Sequence, residues 1–162
     1  MKENHDGPLT ASILHLLHRA GQTADERFFK EMQGAELTPR QYAVLVVLAQ
    51  HENASQTDIV NATGIDRSTL ADIVKRMVDR GLLARKRSKL DARAYSVKLT
   101  AAGQSALKST NPVAARVENA LLKSLSASQR AVIVDALAAI VRQSADDGVQ
   151  QAQPKAGSRA RG

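Results

Sequence analysis

Three observations in the sequence predict a mainly α-helical protein with a small β-wing. Two short helical segments meet at a glycine between Ser55 and Arg80, and a basic hairpin spans Leu82 to Leu99. Amphipathic stretches that this unit does not need lie on both sides, from Leu9 and from Thr100. Together they describe a winged helix-turn-helix flanked by N- and C-terminal dimerisation helices. The expected division is a flexible arm over 1–8, an N-terminal dimerisation helix over 9–36 and the winged unit over 37–99. C-terminal dimerisation helices over 100–146 and a disordered basic tail over 147–162 complete it.

After a polar arm, Leu9, Ile13, Leu16, Leu17, Ala20, Ala24 and Phe28 recur at helical spacing and form one apolar stripe. Nothing local covers that stripe, so it requires a distant partner. His15, His18 and Arg19 fall at i, i+3 and i+4 on the same helix and lie together. They are either solvated, bonded to a neighbouring helix, or ligand contacts. Two histidines without a further cysteine or carboxylate cluster do not complete a metal shell, so no metal is expected. Gly34 breaks the pattern. Thr38 caps the next helix, Pro39 takes its first position and Gln41 closes a capping box. Tyr42, Val44, Leu45, Val47 and Leu48 are its expected buried side, with Tyr42 open to a second role as a ligand contact. His51 to Ala54 reads as a short connection.

Ser55-Gln56-Thr57-Asp58 is a second capping box, and Gly64 stops the helix it opens. Asp66 caps the following helix, which runs to about Arg80 with Gly81 beyond it. Leu70, Ile73, Val74, Met77 and Val78 share one face of that helix. The opposite face carries Ser68, Thr69, Asp72, Lys75 and Arg76, with Arg67 at its edge. Hydroxyls, a carboxylate and cations on one exposed face can meet base edges, while the cations reach phosphates. Ser68, Thr69, Asp72 and Arg76 are therefore expected at bases or adjacent phosphates. Lys75 and the helix-start residues Ser55, Gln56 and Thr57 are expected to hold the backbone. The hairpin pairs Leu82–Arg87 with Tyr95–Leu99, which alternates apolar and polar. Arg85, Lys86, Arg87, Lys89 and Arg93 make it the densest positive cluster of the chain. Arg93 suits a narrow minor groove, and Asp91 suits a brace for it.

Thr100 caps a long helix bearing Ala106, Leu107, Val113, Val117, Leu121 and Leu122. Pro112 lies inside it and predicts a kink or break near Ser109-Thr110-Asn111. Ser126 caps a last helix, with Gln129 three residues on and a stripe of Ile133, Leu137, Ile140 and Val141. From Asp147 the pattern stops. By composition the remainder is a disordered tail with Lys155, Arg159 and Arg161.

The chain has 162 residues, with 23 Lys+Arg against 16 Asp+Glu, a net charge of +7 and a pI near 10.1. That balance favours a polyanion. Two tyrosines, two phenylalanines and no tryptophan supply no stacking platform for single strands, so duplex DNA fits better. The chain has no cysteine, which excludes a thiol redox switch and is compatible with the cytoplasm. No apolar run approaches the ~20 residues of a membrane helix, and the polar start is no signal peptide. No Ser-His-Asp or Cys-His set, phosphate loop or metal cluster is present, so neither an enzyme nor a cofactor is expected.

The sequence resembles the MarR family of transcriptional regulators. The matching features are Leu37-Thr38-Pro39-Arg40-Gln41-Tyr42, Ser55 to Val60, Asp66-Arg67-Ser68-Thr69-Leu70 and Arg80-Gly81-Leu82-Leu83. Asp91-Ala92-Arg93 in the wing and Leu99-Thr100-Ala101-Ala102-Gly103 complete the set. In order and spacing they cover about residues 9 to 145. The resemblance implies a homodimer on a pseudo-palindromic operator, usually a repressor released by a small ligand. The resemblance implies DNA contacts from Ser55, Gln56, Thr57, Arg67, Ser68, Thr69, Asp72, Lys75, Arg76, Arg87, Lys89, Asp91 and Arg93. It implies a ligand between the first helix and the winged unit, for which His15, His18, Arg19, Phe28, Arg40 and Tyr42 are the candidates. Leu16 to Gln22 and Asp66 to Leu83 are similar to a branch controlling aromatic-acid breakdown, some members of which respond to aryl-CoA thioesters. His18, Arg19 and Arg40 would then pair with a carboxylate or phosphate. A phenolic effector, and an architectural DNA-binding protein with no effector, remain as alternatives.

Overall fold

The structure, a computed structural model, describes the backbone of residues 9–32, 37–87 and 95–152, and side chains through 143. Its elements in chain order are α1 (Ile13–Met32), α2 (Pro39–Gln50), β1 (Ala54–Ser55), α3 (Gln56–Thr63) and α4 (Arg67–Asp79). The hairpin strands β2 (Leu83–Arg87) and β3 (Tyr95–Leu99) follow, then α5 (Ala101–Leu121) and α6 (Ala127–Ala152). One compact unit runs to Ala120 and a second begins at Leu121. The expected mainly helical architecture with a small wing is present. One strand is additional: Ala54, expected at the end of a plain connection, and the helix cap Ser55 pair antiparallel with β3, so the sheet order is β1-β3-β2.

Local chemistry sets each helix start. Thr38 Oγ1 accepts from the Gln41 amide at 3.2 Å and the Gln41 side chain returns to the Thr38 amide at 3.1 Å. Gln41 is buried by that closure, while Tyr42 and Val47 are half-buried. Gly64 ends α3 at φ +69°, where a side chain would be strained. The core gathers Val44, Leu45 and Leu48 of α2, Ile59 of α3, Leu70, Val74 and Met77 of α4, and Leu83 and Val97 of the hairpin. Each such large aliphatic side chain, fully withdrawn from water, contributes about 1.5–3 kcal/mol. Along α1 only Phe28 and Met32 are buried; Ile13, Leu14, Leu16 and Leu17 are exposed within one chain. The helix begins at Ile13 rather than Leu9.

The end of α4, the start of β2, the end of β3 and the start of α5 meet at Leu82. Its carbonyl accepts from the Thr100 amide at 3.1 Å, and Thr100 Oγ1 lies 3.0 Å from it and 2.6 Å from the Gly81 carbonyl. Thr100 Oγ1 also accepts from the Gly103 amide at 3.1 Å, as a helix cap should. Gly103 is where α5 crosses that carbonyl: a Cβ there would collide with Leu82 O.

Helix α5 continues unbroken through Pro112, contrary to the break expected near Ser109-Thr110-Asn111. The proline removes one backbone donor. Packing on both sides holds the helix together: Thr110 and Val117 are buried, and Asn111 accepts from the Tyr42 hydroxyl at 3.1 Å. Ser109 and Thr110 hydroxyls both donate to the Ala106 carbonyl, at 2.9 and 2.8 Å. In the second unit, Ser126 and Gln129 form the expected capping pair, at 2.9 and 3.3 Å. Helix α6 runs to Ala152, past the expected start of the tail at Asp147. Val149 to Ala152 are ordinary helix formers, and the single Gly148 is tolerated.

Gly103→Ala should therefore destabilise the fold by about 1–3 kcal/mol, the usual range for forcing atoms into filled space. Denaturant unfolding checks this; an unchanged midpoint would show that α5 does not need the contact.

Candidate nucleic-acid interface

The exposed face of α4 is built by its cap. Asp66 Oδ1 accepts from the Thr69 amide at 2.9 Å and from the Ser68 hydroxyl at 2.6 Å. These bonds, the Ser68 hydroxyl first, hold the Asp66 carboxyl far below the usual carboxylate range. Asp58 is lowered in the same way by the Ser55 hydroxyl and amide, at 2.7 and 2.8 Å. Both carboxylates at the two helix starts are thus committed to caps. Both are bonded to cap donors rather than to a cation. The Ser68 proton is committed as well, so its oxygen offers lone pairs outward.

At 3.6 residues per turn Ser68, Asp72, Lys75 and Arg76 lie within an arc of about 100°, and all four are exposed. Thr69 is half-buried at the edge of that arc. Lys75 pairs with Asp79 at 3.3 Å on the helix surface. Such an exposed i,i+4 pair contributes only ~0.3–0.5 kcal/mol, so it releases the lysine readily to a phosphate. Arg67 donates to Thr57 Oγ1 at 3.3 Å and ties α4 to the start of α3. Ser55, Gln56 and Thr57 thereby stand beside the arginine. Arg85, Lys86 and Arg87 of β2 are exposed next in the chain. Lys89, Asp91 and Arg93 lie outside the described residues. Arg85 and Tyr95 line the same cleft as Thr57 and Arg67. Neither was assigned to the interface from sequence; the signal was the period-two register that puts both on the face of Leu83 and Val97.

The six candidate ligand residues fall in three places within one chain. His15, His18 and Arg19 line an open cleft of about 420 Å³ on α1 with Leu9 and Ser12. Phe28 lies about 14–20 Å further along the same helix, at 1.5 Å per residue. There it is buried and meets Tyr42, with ring centroids 6.0 Å apart and tilted by 43°. Burial first, and then Glu118, raise the Tyr42 hydroxyl above its ordinary pKa. Asn111, the partner of that hydroxyl, carried no sequence signal across 69 positions. Arg40 stands apart, lining a cleft of about 480 Å³ with Phe29 of α1 and Thr69, Asp72 and Arg76 of α4.

The lowered Asp66 carboxyl has a defined pH signature. Its contribution is complete above the unfolded value near ~3.9 and is lost as pH falls through the folded value. The stability difference between wild type and Asp66→Asn should be level at neutral pH and shrink below about pH 4. A pH-independent difference in unfolding experiments would contradict the charged cap.

Residues 35–94 match the MarR family. The chain is 30% identical to the transcriptional repressor NicR of Pseudomonas putida over 132 residues, 82% of this chain and 84% of that protein. Among solved structures it is similar to BpsR of Bordetella bronchiseptica, whose DNA binding is regulated by 6-hydroxynicotinic acid. The TM-score is 0.74 at 30% identity, covering 79% of this chain and 97% of that one. It is similar too to the transcriptional repressor CouR bound to a 23-mer DNA duplex, with TM-score 0.76 at 30% identity, covering 83% of this chain and 95% of that one. A capped recognition helix with a basic hairpin beside it, carried on this scaffold, makes the chain a DNA-binding transcriptional regulator and no enzyme: it belongs to the MarR family.

Proposed function

We propose that the protein is a homodimeric repressor in the cytoplasm that reads a pseudo-palindromic operator and releases it on binding a small aromatic acid or its CoA thioester. The observation that carries the reading is the exposed α4 face, Ser68, Asp72, Lys75 and Arg76, with the basic hairpin adjoining it. Two such helices would enter successive major grooves ~34 Å, or ~10 bp, apart. Ser68, Thr69, Asp72 and Arg76 would meet base edges, and Lys75, Ser55, Gln56, Thr57, Arg67 and Arg87 the backbone. Exposed apolar side chains support the dimer: Ile13, Leu14, Leu16 and Leu17 on α1, and, in the second unit, Val132, Ile133, Val134, Leu137, Ile140 and Val141 on α6. A second copy would bury them. Arg93, Lys89 and Asp91 keep their expected roles in the wing.

The regulation of BpsR by 6-hydroxynicotinic acid supports an aromatic-acid effector. The apolar Phe28–Tyr42 pair and the cations His15, His18, Arg19 and Arg40 suit an aromatic ring and an anionic group. In a single chain they are separated, so a joint site would draw on both copies. The ligand shifts the DNA equilibrium only by its differential affinity for the two spacings of the recognition helices.

Selection of the protein's own genome fragments, followed by sequencing, tests this. A short palindromic site is expected, and an aromatic acid such as 6-hydroxynicotinic acid should weaken binding to it. Broad enrichment with no motif would overturn sequence-specific reading and favour an architectural protein. On the selected site Arg76→Ala should change base preference, with about 1–3 kcal/mol of discrimination lost at one position. Lys75→Ala should weaken all sequences alike and lower the salt slope by about 0.9. A uniform loss for Arg76→Ala would move that residue to the backbone.

A further inference from the structure

We propose that the cleft between the start of α3 and the hairpin seats one backbone phosphate of the bound duplex, held by Arg67 and Arg85 with the Tyr95 hydroxyl as a third donor. The hairpin register carries the inference. Opposite residues of an antiparallel pair point to one face. Leu83, Arg85 and Arg87 therefore share a face with Leu99, Val97 and Tyr95. At its base that face is core: Leu83 and Val97 are 2% and 0% exposed. One step outward, opposite Val97 itself, the same face carries the exposed Arg85, and beside it Tyr95 at 42% exposed. Where that face leaves the core it becomes cationic. Here it turns into the wall of a cleft of about 280 Å³, lined by Ser55, Gln56, Thr57, Arg67, Arg85, Tyr95 and Val97.

Among the described residues no carboxylate lines that cleft. Asp58, in the first turn of α3, is held by Ser55 in the capping box. Arg67 is held in place by its bond to Thr57 Oγ1, and β1 fastens the start of α3 to β3 through Ala54↔Val97 and Ser55↔Ser96. The two guanidinium groups therefore approach from α4 and from the wing onto one rigid frame. Guanidinium forks match phosphate oxygens, and a phenol adds a neutral donor. A seat of this kind fixes the wing and α4 to one point of the backbone, which sets the depth and angle at which α4 enters the groove. Arg85 and Tyr95 are thus positioning residues for base reading.

The inference rests on the duplex-binding reading above. Binding of the full-length protein to a fluorescein-labelled duplex of mixed sequence is measured over a range of chloride concentrations. Arg85→Met should lower the salt slope by about 0.9, and Arg85→Lys should restore it. Tyr95→Phe should weaken binding about fivefold with the slope unchanged, since it removes a hydrogen bond and no charge. Unfolding midpoints accompany each variant, because a merely structural role would move the midpoint and not the slope. An Arg85→Met slope equal to wild type, with the wild type still steep, overturns the phosphate seat alone. A wild type without salt-dependent duplex binding overturns both readings. Inorganic phosphate at constant ionic strength should displace the duplex better than chloride from the wild type and lose that advantage in Arg85→Met. Phosphate binding that Arg85→Met abolishes while the duplex slope stays at the wild-type value would overturn the assignment and give the cleft to a free anion.

Discussion

The carbonyl of Leu82 is the point from which the DNA-facing half of the molecule is hung. Helix α4 ends just before it, with the Leu82 amide bonded back to the Met77 carbonyl at 2.9 Å. Strand β2 starts just after it. The Thr100 amide and hydroxyl then reach the same carbonyl from the end of β3, and Gly103 lets the first turn of α5 pass over it. Four elements share a few atoms. A side chain at 103 would push α5 away and loosen the angle between the recognition helix and the wing together. Close-packed contacts of this kind are bistable rather than soft. A displacement of α5 would reach α4 through this joint.

A second chain of contacts runs from α1 to the same helix. Phe28 packs on Tyr42, and Tyr42 bonds Asn111, immediately before Pro112. Arg116 of α5 pairs with Glu31 of α1 at 3.1 Å, although both are exposed and the pair contributes little to stability. The candidate effector residues Phe28 and Tyr42 are therefore one side chain away from the helix that ends at the Leu82 joint. In the proposed dimer this is a physical route by which a ligand near Tyr42 would bias the spacing of the two recognition helices.

The elements governed by local rules were legible in the sequence. The caps at Thr38, Ser55, Asp66, Thr100 and Ser126 all have the bonding that their spacing implied, because a cap is decided within four residues. The apolar face of α4 and the period-two strand of the hairpin followed from periodicity. What was not legible depends on distant partners. Pro112 reads as a break because its local cost is plain, whereas the packing of Thr110, Val117 and Asn111 that keeps α5 whole comes from elsewhere in the fold. Two-residue β1 is too short to announce itself and exists only through β3. Arg85 looks like one of several wing cations until the register places it opposite a buried valine. The six effector candidates share a plausible chemistry, but nothing in their spacing says that one chain holds them in three places.

In the proposed dimer α4 lies in the major groove as one of a symmetric pair. Dimethyl sulfate protection on the site selected from the protein's own genome tests it most directly, because guanine N7 faces the major groove and adenine N3 the minor. Protected guanine N7 positions are expected in two successive major grooves on one face of the duplex, about 10 bp apart. Protection confined to adenine N3, or to a single groove without its symmetric mate, would contradict it.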